Sequence, residues 1–176
     1  MIARRASIVV ALAALGCGAE FDPPHRVETL RVLGVQKSAP YAAPGEDVEL
    51  RILWHDGSPS APRPVTVTWF AGCINPPGDL YYNCFTTFQG LEGVPSGNLP
   101  PGVSVGVGDR FTFTMPDDVI TARPPPQDTK LPHYGLAYVF FAACAGELGP
   151  APSDAAEQFP LGCYDAAGTA LGADVF

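Results

Sequence analysis

The side chains best suited to covalent chemistry in this 176-residue sequence are its five cysteines, and their spacing divides them. Cys17 stands alone, directly after LAALG at the end of a short apolar run. Cys73 and Cys84 are separated by ten residues, Cys144 and Cys163 by eighteen. A thiol is the strongest ordinary side-chain nucleophile near neutral pH, so an isolated one is a natural point of modification. Setting Cys17 aside leaves an even number, suited to two disulfides in an oxidising compartment. Zinc is the rival use of four cysteines, but it wants pairs two to four residues apart, and neither pair is that close. No metal or cofactor is therefore expected.

The residues before Cys17 give it a context. Arg4 and Arg5 form a small positive cluster, and Ser7 to Gly16 supply an almost uncharged apolar stretch. That is the layout of a secretory signal peptide. The run is about ten residues, half of what a bilayer-crossing helix needs. Ala14-Leu15-Gly16-Cys17 resembles the lipobox of bacterial lipoproteins, although leucine, the commonest residue three before the cysteine, is here replaced by Ala14. The resemblance implies that residues 1–16 are removed and that Cys17 becomes the acylated first residue. The alternative is a soluble exported protein cut after Ala19. Several acyl chains make a durable anchor, since each buried methylene contributes about 0.8 kcal/mol. Gly18 stands where an aspartate would retain such a lipoprotein at the inner membrane, so the resemblance implies an outer-membrane location in the cell envelope. Residues 17–26, with Asp22-Pro23-Pro24-His25, read as a lipidated tether; residues 18–26 extended reach about 28 Å at ~3.1 Å each.

Other chemistry is weaker. Gly102-Val103-Ser104-Val105-Gly106 matches G-x-S-x-G, and Asp117 and His133 follow in the order of a hydrolase triad. A nucleophile elbow needs a strand, a tight turn and a helix, whereas Ser104 lies among alternating valines followed by DRFTFTMP. The expectation is no enzyme. His25, His55 and His133 are scattered without ligand spacing, and Asp117-Asp118 reads as a solvated turn.

The elements that position these residues are read from period and punctuation. Removing the leader with its two arginines takes the formal charge from −8 to −10 and leaves 160 residues, one domain in size. A chain without a basic footprint is no nucleic-acid binder. Twenty prolines are twice the usual share, yet 47 % of residues are apolar, so the prolines punctuate loops around a real core. Period-two alternation runs through Val48-Leu50-Ile52-Trp54, Val65-Val67-Trp69 and Phe111-Phe113-Met115. Val27–Val35 and Val103–Val107 are further strands, and Leu136–Cys144 is apolar on both faces, as a central strand would be.

RVETLRVLGV, PVTVTWFAGC and DRFTFTMP followed by YGLAYVFFAAC resemble an immunoglobulin-like β-sandwich, all-β and antiparallel, spanning 27–176. The whole resembles an uncharacterised group of bacterial lipoproteins pairing a lipobox with this strand series. It implies that Trp69 is the buried tryptophan and that Tyr134 or Tyr138 pins a corner. Six strands are legible up to Cys144 where seven are usual, so the last strand is expected to be irregular, or the chain to be a piece of something longer. Three disulfide pairings are possible. In this fold Cys73 and Cys144 end neighbouring antiparallel strands at opposite poles, which favours Cys73–Cys84 and Cys144–Cys163, each stapling a long loop. The expected role is a membrane-anchored, non-catalytic one: structural, or displaying loops Ile74–Asn83 and Glu147–Gly162 to an envelope protein or surface ligand. The alternative is an accessory subunit of an envelope complex that pairs through an exposed sheet edge.

Overall fold

The computed structural model describes residues 27–91, 98–128, 130–151 and 159–171; the expected leader 1–16, Cys17 and the expected tether 17–26 lie outside them. Alternation decides the first sheet. β2 (Asp47–Asp56) buries Val48, Leu50 and Ile52 and turns Asp47, Glu49 and Arg51 to solvent. β5 (Arg110–Thr114) does the same with Phe111 and Phe113. β1 (Leu30–Lys37) pairs antiparallel with β2, with a bulge between Val32 and Gly34, giving the order β1-β2-β5.

The second sheet has the order β4-β3-β6, from β4 (Ser104–Val107), β3 (Thr66–Ile74) and β6 (Ala137–Cys144), all antiparallel. The two sheets share one core: Leu50, Ile52, Phe111 and Phe113 from the first meet Val67, Trp69, Ala71 and Ala143 from the second. Trp69, 1 % exposed, stacks on Phe111 with ring centres 5.9 Å apart and tilts against Phe141 at 5.6 Å. Its indole N–H donates to the Gly108 carbonyl at 2.7 Å, so the one polar atom of the ring is satisfied. A short turn at Gly108 and Asp109 joins β4 to β5 and closes that side of the core.

A third layer covers the outer face of the second sheet. After β3 the chain makes two short 3-10 turns, Pro77–Asp79 and Tyr81–Cys84, and one α-turn, α1 (Phe85–Phe88). Beyond β6, β7 (Glu147–Pro150) and β8 (Leu161–Tyr164) form a two-stranded sheet. Phe88 of α1 packs on Phe70 and Phe140, with ring centres 6.0 and 5.3 Å away, and Phe159 stacks on Phe140 at 5.6 Å. Both disulfides fasten this cover. Cys73 of β3 joins Cys84, and Cys144 of β6 joins Cys163 of β8, with α-carbons 5.4 and 5.7 Å apart. Strand direction excludes a Cys73–Cys144 bridge: Thr66 faces Cys144 and Tyr138 faces Cys73, so Cys73 and Cys144 lie at opposite ends of their ladder.

The structure corrects several expectations. The first strand lies three residues later than alternation put its start, at Leu30 rather than Val27. The loop Glu147–Gly162 is in part strand, because β7 and β8 pair with each other through a long-range contact that their four-residue segments do not advertise. Leu136–Cys144, read as a central strand, stands at the end of its sheet among the described residues. Neither tyrosine pins its own corner. Tyr138 donates its hydroxyl to the Asp79 carbonyl and Tyr134 to the Asp79 carboxylate, both across to the stapled loop.

Candidate functional site

On the side away from the β4–β5 turn, β1 and β6 end their sheets, and between them opens an apolar groove of about 1100 Å³. Val35, Val48, Leu50 and Phe113 form its wall on the first sheet, Ala137, Val139 and Phe141 on the second, and Trp69 lies at its floor. Lys37 and His133 are the basic lining residues, and no aspartate or glutamate is among the described ones. A space lined this way is the usual form of a binding site: mostly apolar, with few polar groups to orient an occupant.

The rim is built from loops leaving the same strand ends. Residues 38–46 join β1 to β2, 75–91 follow β3, and 115–136 join β5 to β6. One cluster ties the last two together. Arg123 Nη2 donates to Asp79 Oδ2 at 2.7 Å, and its guanidinium carbon sits 4.4 Å from the centre of the Tyr134 ring. Arg123 Nη1 is buried without a hydrogen-bond acceptor among the described residues, and the negative face of the tyrosine ring supplies electrostatic stabilisation to the cation. Tyr134 donates to the same carboxylate oxygen at 3.3 Å, and Tyr138 to the Asp79 carbonyl at 2.6 Å. The hydrogen bond from Arg123 holds the Asp79 carboxyl below its ordinary value against the opposing effect of desolvation, and Asp79 raises Arg123 in return. Deeper in, Asn75 donates to the Val119 carbonyl at 2.7 Å and accepts from the Leu136 amide at 2.8 Å.

Large apolar side chains stand out on these loops. Tyr41 is 90 % exposed, and Leu80, Tyr81, Tyr82, Leu131 and Tyr134 are exposed as well. Tyrosines that combine a broad apolar face with a polar tip are favoured where a protein meets a partner.

The residues singled out in the sequence do not converge. Ser104 sits in β4 opposite Ala71, and the chain continues through a turn into β5, not into a helix. No hydrogen bond among the described residues joins it to Asp117 or His133; His133 Nε2 contacts the Arg123 carbonyl at 3.0 Å. The motif's glycines have other work. Gly102 adopts φ +81°, and a Cβ on Gly106 would stand 2.4 Å from the Phe111 ring. Cys17 and His25 lie outside the described residues, and His55 is exposed on β2. Among the described residues no three His, Cys, Asp or Glu side chains are grouped to hold a metal. Sequence reasoning missed Asp79, Arg123 and Asn75; the bonds Asp79–Arg123, Asn75–Val119 and Asn75–Leu136 span 44 or more residues, beyond any local pattern.

No protein-family model, curated protein or solved structure matches the chain.

Proposed function

We propose that the chain is a lipid-anchored module of the cell envelope, of immunoglobulin-like architecture, with a non-catalytic binding role carried by the loops remote from its anchored end. The strand orders β1-β2-β5 and β4-β3-β6, with both sheets contributing to one core, support the sandwich. One observation carries the binding role: the exposed Tyr41, Tyr81, Tyr82 and Tyr134 belong to loops at the strand ends opposite Leu30, where the tether enters. An acylated Cys17 ahead of that tether would hold the loops away from the bilayer and leave them open to a partner.

Two measurements test this reading. Labelling with an alkyne fatty acid is expected to mark the parent protein and not Cys17→Ser, and the variant is expected to leave the membrane fraction. A photo-crosslinking residue in place of Tyr81 or Tyr82 is expected to yield discrete adducts in intact envelopes, while one in place of Leu53 yields none. Unlabelled parent protein overturns the anchor, and identical adduct patterns at Tyr81 and Leu53 overturn the binding role.

A further inference from the structure

The groove beside Trp69 is core left uncovered along one side. Leu50 and Ile52 of β2 are 6 % and 4 % exposed, whereas Val35, paired with Ile52 from β1 and so on the same face, is 39 % exposed. The opposite wall is alike. Ala143 of β6 is buried, but Ala137, Val139 and Phe141, which pack against the same core, are only half-buried. Apolar side chains aimed at a core yet open to one side form a trough for an apolar occupant. From Ala137 to Phe141 that trough runs about 13 Å at ~3.3 Å per residue.

Charge is confined to one end of it. Lys37 closes β1 and His133 precedes the start of β6, so both basic lining residues stand at the loop end, with Tyr41 and Tyr134 beside them. Farther in, Val35, Leu50, Trp69 and Phe141 carry no charge, and no aspartate or glutamate is among the described lining residues. Lys37 Nζ donates to the Pro40 carbonyl at 2.9 Å, which leaves two of its three N–H groups. His133 Nε2 donates to the Arg123 carbonyl at 3.0 Å, so Lys37 is the fixed positive charge of the groove. An occupant that matches has an anionic group at one end only and hydrocarbon along the rest. A cationic head would meet Lys37, and a neutral one would leave its charge without a counterpart.

We propose that the groove binds a single-chain anionic amphiphile, a fatty acid, with its carboxylate at Lys37 and its tail between β1 and β6 against Trp69. This inference stands on the groove and its charge alone, and is independent of an anchor at Cys17 and of a partner at Tyr81 and Tyr82.

The test titrates the full-length chain carrying Cys17→Ser, purified without detergent so that no other amphiphile competes, with a dansylated undecanoate. Saturable binding is expected, with dodecanoate displacing the probe about fivefold more readily than dodecanol, the size of an ion pair at a partly exposed site. Lys37→Gln is expected to remove that preference and to leave displacement by the alcohol unchanged. A second measurement places the tail. With Trp54→Phe, Trp69 is the remaining tryptophan, and a dodecanoate brominated near its tail is expected to quench it. Absence of saturable binding overturns the proposal, as does a carboxylate preference that survives Lys37→Gln, or a Trp69 that is not quenched. Probe binding that falls as the protein is concentrated also overturns it, because a second copy then fills the groove.

Discussion

Arg63 grips Asp56 with two parallel hydrogen bonds, Nε to Oδ2 at 2.7 Å and Nη2 to Oδ1 at 3.2 Å, and so ties the loop after β2 back onto the strand. The Ser58 amide adds a third donor to the same carboxylate at 3.1 Å, and the Asp56 side chain is only 7 % exposed. Arg63 first, then Ser58, draw the carboxyl down from 3.8 to about 2, against the desolvation that opposes ionisation. With the folded value below the unfolded one, the unfolded chain takes up the proton first as pH falls. The contribution to stability is therefore complete above pH 3.8 and disappears as pH approaches 2. Urea midpoints measured from pH 5 to pH 2 are expected to fall less steeply for Asp56→Asn than for the parent. Equal slopes would remove Asp56 from the acid response.

The serine motif separates cleanly from its glycines by substitution. Gly106 lies where a Cβ would press into the Phe111 ring, and that ring is stacked on Trp69. Gly106→Ala is expected to destabilise by about 1–3 kcal/mol, the usual cost of overpacking a core. Ser104→Ala, a half-buried strand position, is expected to change the urea midpoint little. A Ser104→Ala loss as large as that of Gly106→Ala would contradict the packing account of this motif.

Each disulfide closes a short loop and fastens the cover to the second sheet. Chain-entropy reasoning gives about 3 kcal/mol for either bridge. Replacing Cys144 and Cys163 together with serine is expected to lower the midpoint by that order and to release β8 from Ala142 and Phe140. A hydrophobic dye should then bind the exposed phenylalanines, as it should after Cys73→Ser/Cys84→Ser. Loss of stability without dye binding would show that the cover stays seated through its aromatic contacts alone.

The strands that alternate strictly were legible in the sequence because each writes its own burial: Val48, Leu50 and Ile52 face inward whatever their partners are. Trp69 and both cysteine pairs were legible too, the cysteines because strand direction alone keeps Cys73 from Cys144. β7 and β8 were not, since ELGP and LGCY hold too few residues for a period and depend on pairing with each other. The edge position of β6 was hidden for a related reason. A strand apolar on both faces reports what covers its faces, here the core and the aromatic cover, and not what lies beside it. The rim was the least legible part. Gly135 is required because a Cβ there would stand 2.4 Å from the Val119 carbonyl oxygen, a contact between two loop residues with no sequence signature.

The Asp79–Arg123 pair makes the last prediction, because it joins the loop after β3 to the loop before β6 by an ion pair. Its side chains are partly exposed, 35 % and 22 %, so its effect on global stability is small after screening by water and salt. Its effect on loop order is larger. Arg123 is held at once by the carboxylate and the Tyr134 ring, while Tyr138 anchors the Asp79 backbone from β6. Arg123→Met keeps the apolar stem against Tyr134 and removes the charge. The expected result is faster amide exchange at residues 79–83 and 123–134 with a nearly unchanged urea midpoint. Asp79→Asn should do the same. In the parent, the protection of both loops relative to the intrinsic exchange rate at each pH should fall as the pH drops into the range where the carboxyl, held below its ordinary value by Arg123, finally protonates. The Arg123→Met protein should lack that acid step, and its persistence would mean that another group sets the order of the rim.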